Sequence, residues 1–193
     1  MGTLRVLIAE DESLVAMGIR AQLESLGYEV VGEAADGAEA VSLCERVRPD
    51  VVIMDINMPR MDGVEAARAI SERCPTPVVI LTGYSDRELV ERAADAGVFA
   101  YLVKPVDEHD LGPAIEVALA RFDEERRLAA EARSAREALE ARKLVERAKG
   151  ILMDRLGLGE AEAMRLLQKK SRDQNKKLVD MARQIIEADK ILS

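Results

Sequence analysis

Two acidic residues, Glu10 and Asp11, directly follow the apolar run Leu4-Arg5-Val6-Leu7-Ile8-Ala9. Asp55 follows Val51-Val52-Ile53-Met54, Thr82 follows Val78-Val79-Ile80-Leu81, and Lys104-Pro105 follows Phe99-Ala100-Tyr101-Leu102-Val103. Each run reads as a strand, so these polar residues fall at four strand ends. In a parallel α/β sheet the carboxyl ends share one edge, where ligands bind. Residues distant in sequence then meet in one pocket of three carboxylates, a hydroxyl and an ammonium. Such carboxylates repel one another until a cation arrives, and Mg2+ suits an all-oxygen site that also takes a phosphate oxygen. The Asp55 carboxylate is then placed to attack phosphorus and form an acyl phosphate. Lys104 would hold another oxygen of that group, and the Thr82 hydroxyl would donate to the product. Tyr101, on the strand before Lys104, is placed to move as Thr82 moves. A lone Asp after a strand is ordinarily a turn former or helix cap, the reading Asp11 or Asp36 alone would deserve. Four strand ends in register make coincidence a poor account of the set.

The elements that position this pocket alternate. Strands are predicted at 4–9, 29–34, 51–55, 77–82 and 98–103. Helices are predicted near 13–26, 37–47, 64–73, 86–96 and 108–121, with Gly27, Gly63 and Gly97 at helix edges. Strands that are apolar throughout, such as 51–54, suit a sheet covered on both faces. Five βα units make a flavodoxin-like, doubly wound parallel α/β domain with strand order 2-1-3-4-5.

Past residue 121 the strand signal ends. Residues 121–153 hold no Pro, and no Gly before Gly150, which predicts one long helix. Leu128, Ala132, Ala135 and Leu139 follow a 4-3-4 spacing, a short coiled-coil seam that suits a dimer, the plain alternative being an exposed helical linker. Gly157 and Gly159 break the chain. Two further helices are expected near 160–171 and 175–190, with Ala163, Leu166 and Leu167 inward on one and Leu178, Met181, Ala182, Ile185 and Ile186 on the other. The expected organisation is an α/β domain at 1–121, a helical coiled-coil linker at 122–140 and an all-α three-helix bundle at 141–193.

Charge divides along the same line. Residues 1–122 carry 11 basic and 22 acidic residues, whereas 141–177 carry 11 basic and 5 acidic. Separate partners for the two parts are expected. The net charge of −8 argues against indiscriminate nucleic-acid binding by the whole chain. A single histidine, His109, and two cysteines without ligand spacing make a zinc site a poor expectation. Cys44 and Cys74 read as reduced thiols, Cys44 within a helix. With no apolar run of membrane-spanning length, and Met1-Gly2-Thr3 leading at once into a strand, neither a membrane span nor a signal peptide is expected. A cytoplasmic protein is the expectation.

Within 141–153, Ala141, Leu144, Val145, Ala148, Ile151 and Leu152 share one helical face. Arg142 and Lys149 lie on one flank of the opposite side, Lys143 and Arg147 on the other. The plain reading is a solvated face on which Glu146 pairs with Lys149 or Arg142. Gly150 sits mid-helix at a cost of about 1 kcal/mol relative to Ala, a cost that close approach of another backbone would explain.

The first part resembles the receiver domain of two-component response regulators over about residues 4–121. The carriers are Ala9-Glu10-Asp11-Glu12, Ile53-Met54-Asp55-Ile56-Asn57-Met58-Pro59 with Met61-Asp62-Gly63, Leu81-Thr82, and Ala100-Tyr101-Leu102-Val103-Lys104-Pro105. The resemblance implies Asp55 as phospho-acceptor, with Glu10, Asp11, Asp55 and the Asn57 main-chain carbonyl around Mg2+. It also implies Thr82 and Tyr101 as a switch pair, Lys104 as the phosphate contact, and a cis Lys104–Pro105 bond. Glu10 stands where Asp is common. A sensor histidine kinase is the implied donor. The implied chemistry is limited to Mg2+-dependent self-phosphorylation and slow self-dephosphorylation, so the chain is not an enzyme in the ordinary sense.

The second part resembles the ANTAR domain over about residues 137–190. The carriers are Arg142, Glu146 through Met153, Glu160, Ala163 through Leu167, and Leu178 through Ala182, with Ser171 where a small apolar residue is expected. The resemblance implies binding to stem-loop RNA and prevention of transcription termination; the coiled-coil seam adds the expectation of a homodimer on activation. Arg142, Lys143, Arg147, Lys149 and Gly150 are the candidate RNA-binding residues. A DNA-binding or protein-interaction output on the same switch is the alternative.

Overall fold

The structure is a computed structural model that describes residues 3–83 and 96–192, with side chains to residue 190. The helix expected near 86–96 falls almost wholly outside them. Two units are separable, Met1–Arg126 and Arg127–Ser193.

The first unit holds β1 (Arg5–Ala9), β2 (Glu29–Ala34), β3 (Val51–Asp55), β4 (Val78–Thr82) and β5 (Val98–Val103). They form one parallel sheet in the order β2-β1-β3-β4-β5, as expected. Helices α1 (Ser13–Ser25), α2 (Gly37–Val47) and α3 (Gly63–Arg73) lie between strands. Strand side chains alternate between faces, and each face owns a core. Leu7, Val52, Met54 and Ile80 pack with Ala40, Leu43, Ala66 and Ile70 of α2 and α3. Val6, Ile8, Ile53 and Leu81 pack with Ile19 and Leu23 of α1 and with Leu111 and Ile115. Burying each such aliphatic side chain contributes about 1.5–3 kcal/mol. Asp36 does serve as a cap: its carboxylate accepts from the Glu39 amide at the start of α2 (2.8 Å). Cys44, on α2, and Cys74 are both free and buried, with their Sγ atoms 3.4 Å apart. Burial pushes the Cys44 thiol up to about 12.

Leu111 and Ile115 belong to α4, which runs Glu108–Leu156. The separate helices expected at 108–121 and from 121 onward are therefore one element. No Pro or Gly falls between Pro113 and Gly150, and α4 carries Pro113 in its second turn, where the ring removes one backbone N–H donor without ending the helix. Asp107 caps the start, accepting from the His109 amide at 2.8 Å. The stretch 127–140 is exposed throughout, with Leu128 and Leu139 more than half exposed.

In the second unit the end of α4 packs with α5 (Glu160–Asp173) and α6 (Leu178–Leu192). Ala148, Leu167, Met181, Ala182 and Ile186 are buried at the centre, with Leu144, Val145, Ile151 and Leu152 against them. Of the predicted apolar stripes, Leu167 on α5 and Leu178, Met181, Ala182, Ile185 and Ile186 on α6 pack in this cluster, while Ala163 is buried outside it and Leu166 is only half-buried. The last helix begins at Leu178 rather than near 175, because Asn175 takes a left-handed backbone (φ 50°) that interrupts it.

Candidate phosphoryl-acceptor and RNA-binding sites

The ends of β1 and β3 bring three carboxylates together. Glu10 is held at the β1 terminus by its own amide, which donates to the Ala34 carbonyl (2.9 Å). One oxygen from each of Glu10, Asp11 and Asp55 lies within 4.8 Å of the other two. Glu10 and Asp55 are buried and Asp11 is exposed, so the cluster opens to solvent on the Asp11 side. Lys104, at the end of β5, places Nζ 2.6 Å from Glu10 Oε2 and 3.1 Å from Asp55 Oδ2. The Lys104–Pro105 bond is cis.

These groups perturb one another. Burial raises the pKa of Asp55, against the pull of the Lys104 ammonium and of the Ile56 and Asn57 amides. Burial likewise raises Glu10, opposed by its hydrogen bond from Lys104 and reinforced by Asp55. For Lys104 burial disfavours the charge, but the two carboxylates outweigh it and hold the ammonium above its usual value. One ammonium therefore faces two buried carboxylates and one exposed carboxylate. An all-carboxylate donor set with surplus negative charge fits a hard divalent cation such as Mg2+.

Thr82 ends β4, is buried, and donates from Oγ1 to the Gly83 carbonyl (3.1 Å). Tyr101 pairs in register with Ile80, two residues before Thr82, so Thr82 and Tyr101 share a face of the sheet. The Tyr101 ring is half-buried against Val64 and Ala96, and that burial raises its pKa. Asn57 is exposed in the turn after Asp55.

Other determinants of the site are clear only in three dimensions. A Cβ on Gly63 would stand 2.1 Å from the Asp55 main-chain oxygen, so only glycine lets α3 start there. The Gly63 amide donates to the Ile56 carbonyl (2.9 Å), closing the loop after Asp55. Asp62 caps α3 by accepting from the Glu65 amide (2.7 Å). Arg60, with a left-handed backbone (φ 66°), pairs with Asp36. In the sequence, Met61-Asp62-Gly63 marks a helix edge and contributes to the receiver resemblance, but neither signal contains the contact between Gly63 and the Asp55 backbone.

In the second unit Arg142 and Arg147 are exposed, and neither has an ion-pair partner among the described residues. Lys143 is exposed and pairs with Glu140 (2.8 Å). Lys149 differs. Its Nζ lies 2.5 Å from Glu146 and 2.8 Å from Glu160, and its side chain is only 12% exposed. Hydrogen bonds to Glu146 and then Glu160 raise its pKa, and the same contact lowers that of Glu160. The Glu146–Lys149 pairing of the plain reading is present, and Glu160 adds to it. Lys149 thus ties α4 to α5. Among the described residues, the adjoining turns of α4 aside, nothing lies within 4 Å of a Cβ built on Gly150, so no neighbouring backbone among them explains that glycine.

Residues 6–116 match the family model described as the response regulator receiver domain, and residues 133–186 match that of the ANTAR domain. The chain is a two-component response regulator. The regulator is 50% identical over 183 residues to the transcriptional regulatory protein PdtaR of Mycobacterium tuberculosis, covering 95% of this chain and 89% of that protein. Its receiver is similar to the receiver domain of a modulated diguanylate cyclase from Desulfovibrio desulfuricans. That match has a TM-score of 0.60 and 39% identity, and it covers 64% of the regulator and 99% of the other chain. Similarity extends to a Borrelia burgdorferi structure described as a CheX–CheY–BeF3–Mg complex (TM-score 0.55, 28% identity, 58% of this chain and 86% of that one). Among the described residues of the regulator, no helix is long and apolar enough to cross a membrane.

Proposed function

We propose that Asp55 receives a phosphoryl group and that its phosphorylation controls RNA binding by the ANTAR unit, which acts against transcription termination. The observation that carries this reading is the Glu10–Asp11–Asp55 cluster closed by Lys104, within a chain that pairs a receiver with an ANTAR domain.

Glu10, Asp11, Asp55 and the Asn57 main-chain carbonyl are the residues that would hold Mg2+. When bound there, Mg2+ supplies charge neutralisation to the transferred group. An oxygen of Asp55 attacks phosphorus, and the bond from phosphorus to the donor's leaving atom breaks. With a sensor histidine kinase as donor, that atom is an imidazole nitrogen. Lys104, already 3.1 Å from Asp55, follows the negative charge onto the phosphoryl oxygens. The Thr82 hydroxyl leaves the Gly83 carbonyl for the phosphate, and Tyr101 on the same face moves into the space released. The exposed Leu128 and Leu139 are the seam through which two copies pair on activation. The site of action is the cytoplasm, where a nascent transcript is available.

The test is binding of a tandem stem-loop RNA to the full chain, with and without a small-molecule phosphoryl donor and Mg2+. Tighter RNA binding after phosphorylation is expected. Equal affinity in both states would remove the link between the units. Absence of RNA binding in both states would remove the output.

A further inference from the structure

From Arg165 to Lys177, six residues are basic and one, Asp173, is acidic. Arg165, Lys169, Lys170, Arg172, Lys176 and Lys177 are all exposed. Several other cations of the second unit are met by carboxylates: Lys143 by Glu140, Lys149 by Glu146 and Glu160, Arg155 by Asp189, Arg183 by Asp180, whereas Arg142 and Arg147 on α4 stand apart from any carboxylate among the described residues. None of these six has an ion-pair partner among the described residues.

Folding does not account for the arrangement. Arg165, Lys169 and Arg172 follow a 4-3 spacing, one stripe on the side of α5 away from the buried Ala163 and Leu167. Like charges four apart on a helix repel. Lys170 and Arg172 sit in the last turn of α5, where the helix dipole favours cations, but Arg165 lies earlier. Lys176 and Lys177 directly precede α6, the end where the dipole disfavours them. The Lys177 carbonyl accepts from the Asp180 and Met181 amides, so Lys177 occupies the cap position where Ser, Thr, Asp or Asn would stabilise. The turn itself is fixed: Ser171 Oγ donates to the Lys176 carbonyl (2.6 Å), and Asn175 is left-handed. A turn fixed in this way presents unmet positive charge.

We propose that the outer face of α5 and the α5–α6 turn is the surface that holds RNA phosphates. This rests on the RNA-binding reading above and places the contact here rather than at Lys149. Gln168, Gln174 and Asn175 interleave the cations and can hydrogen-bond base edges. Residues 123–193 hold no Phe, Tyr or Trp, so unpaired bases would stack on arginine planes.

The experiment uses the full chain, treated with a small phosphoryl donor and Mg2+, and a library of tandem hairpin RNAs with randomised loops. RNA enriched by the wild-type protein is titrated over a range of salt. The variants are Arg165→Gln/Lys169→Gln/Arg172→Gln, its Lys counterpart Arg165→Lys/Arg172→Lys, and Lys149→Gln. The Gln triple is expected to bind at least about tenfold more weakly, with a salt slope smaller by about 3, since each phosphate contact contributes about one. The Lys variant should keep the wild-type slope, as should Lys149→Gln. Retained helical circular dichroism checks the fold. An unchanged affinity and slope in the Gln triple would overturn this surface while leaving the RNA reading standing. Failure of the wild-type protein to enrich any RNA would sink both. Equal wild-type affinity for duplex DNA of matched phosphate count would also overturn the proposal, reducing the patch to a general polyanion surface.

Discussion

Gly63 begins α3 so close to Asp55 that a Cβ on it would stand 2.1 Å from the Asp55 main-chain oxygen. The backbone carrying the proposed acceptor and the start of the next helix are therefore in direct contact, and one hydrogen atom is all the space allows. Gly63→Ala should destabilise the receiver by about 1–3 kcal/mol, the cost of forcing an extra methyl into packed structure. It should also slow phosphorylation, because relief requires Asp55 or α3 to shift. Urea unfolding and labelling rate measure the two effects, and wild-type values for both would contradict the packing described.

Lys104 pairs with Glu10 and Asp55 together. From sequence, a lysine at a ligand edge should pack little and contribute little to stability. Its side chain is instead only 24% exposed and bridges two buried carboxylates. Lys104→Ala should still abolish phosphorylation-dependent output, and it should also lower stability by about 1–3 kcal/mol, as expected when a buried charge loses its partner. Added Mg2+ should restore part of that loss, since a divalent cation would replace the missing charge. A melting temperature that ignores Mg2+ in this variant would count against the metal site.

Much of this site was legible because strand ends are. Runs such as Val51 to Met54 announce a covered parallel strand, and the sheet order then brings Glu10, Asp11, Asp55 and Lys104 to one edge. What sequence could not show depends on packing between distant elements. The Lys149–Glu160 contact spans a helix break, so a helical wheel displays Lys149 as a flank residue open to ligand. The clash behind Gly63 likewise requires the fold of the loop after Asp55. The continuation of α4 through residue 121 was obscured because amphipathic and all-polar stretches of one helix look like separate elements.

Gly150 lies where an added Cβ meets nothing within 4 Å. Gly150→Ala should therefore stabilise the bundle by up to about 1 kcal/mol through helix propensity. Gly150→Leu should leave RNA affinity and its salt slope near wild type, because the surface proposed to hold RNA lies on α5 and the α5–α6 turn. Thermal unfolding and a salt titration distinguish the effects, and destabilisation by Ala would reveal a contact the structure lacks.

Cys44, raised to about 12 by burial, stays a protonated thiol at pH 8, and a thiol rather than a thiolate is a poor nucleophile. Cys44 and Cys74 should resist an aromatic disulfide reagent in the native protein at pH 8 and react only on unfolding. Rapid reaction of either in the folded state would show the sheet-facing side of α2 to be open.

The most direct test of the account is the location of the phosphate. Wild-type protein incubated with a small phosphoryl donor and Mg2+ should gain one hydroxylamine-sensitive phosphoryl group, mapped by mass spectrometry to Asp55. Asp55→Asn should gain none while keeping its circular dichroism spectrum. Undiminished labelling of Asp55→Asn, or wild-type labelling that persists after every divalent cation has been chelated, would contradict it.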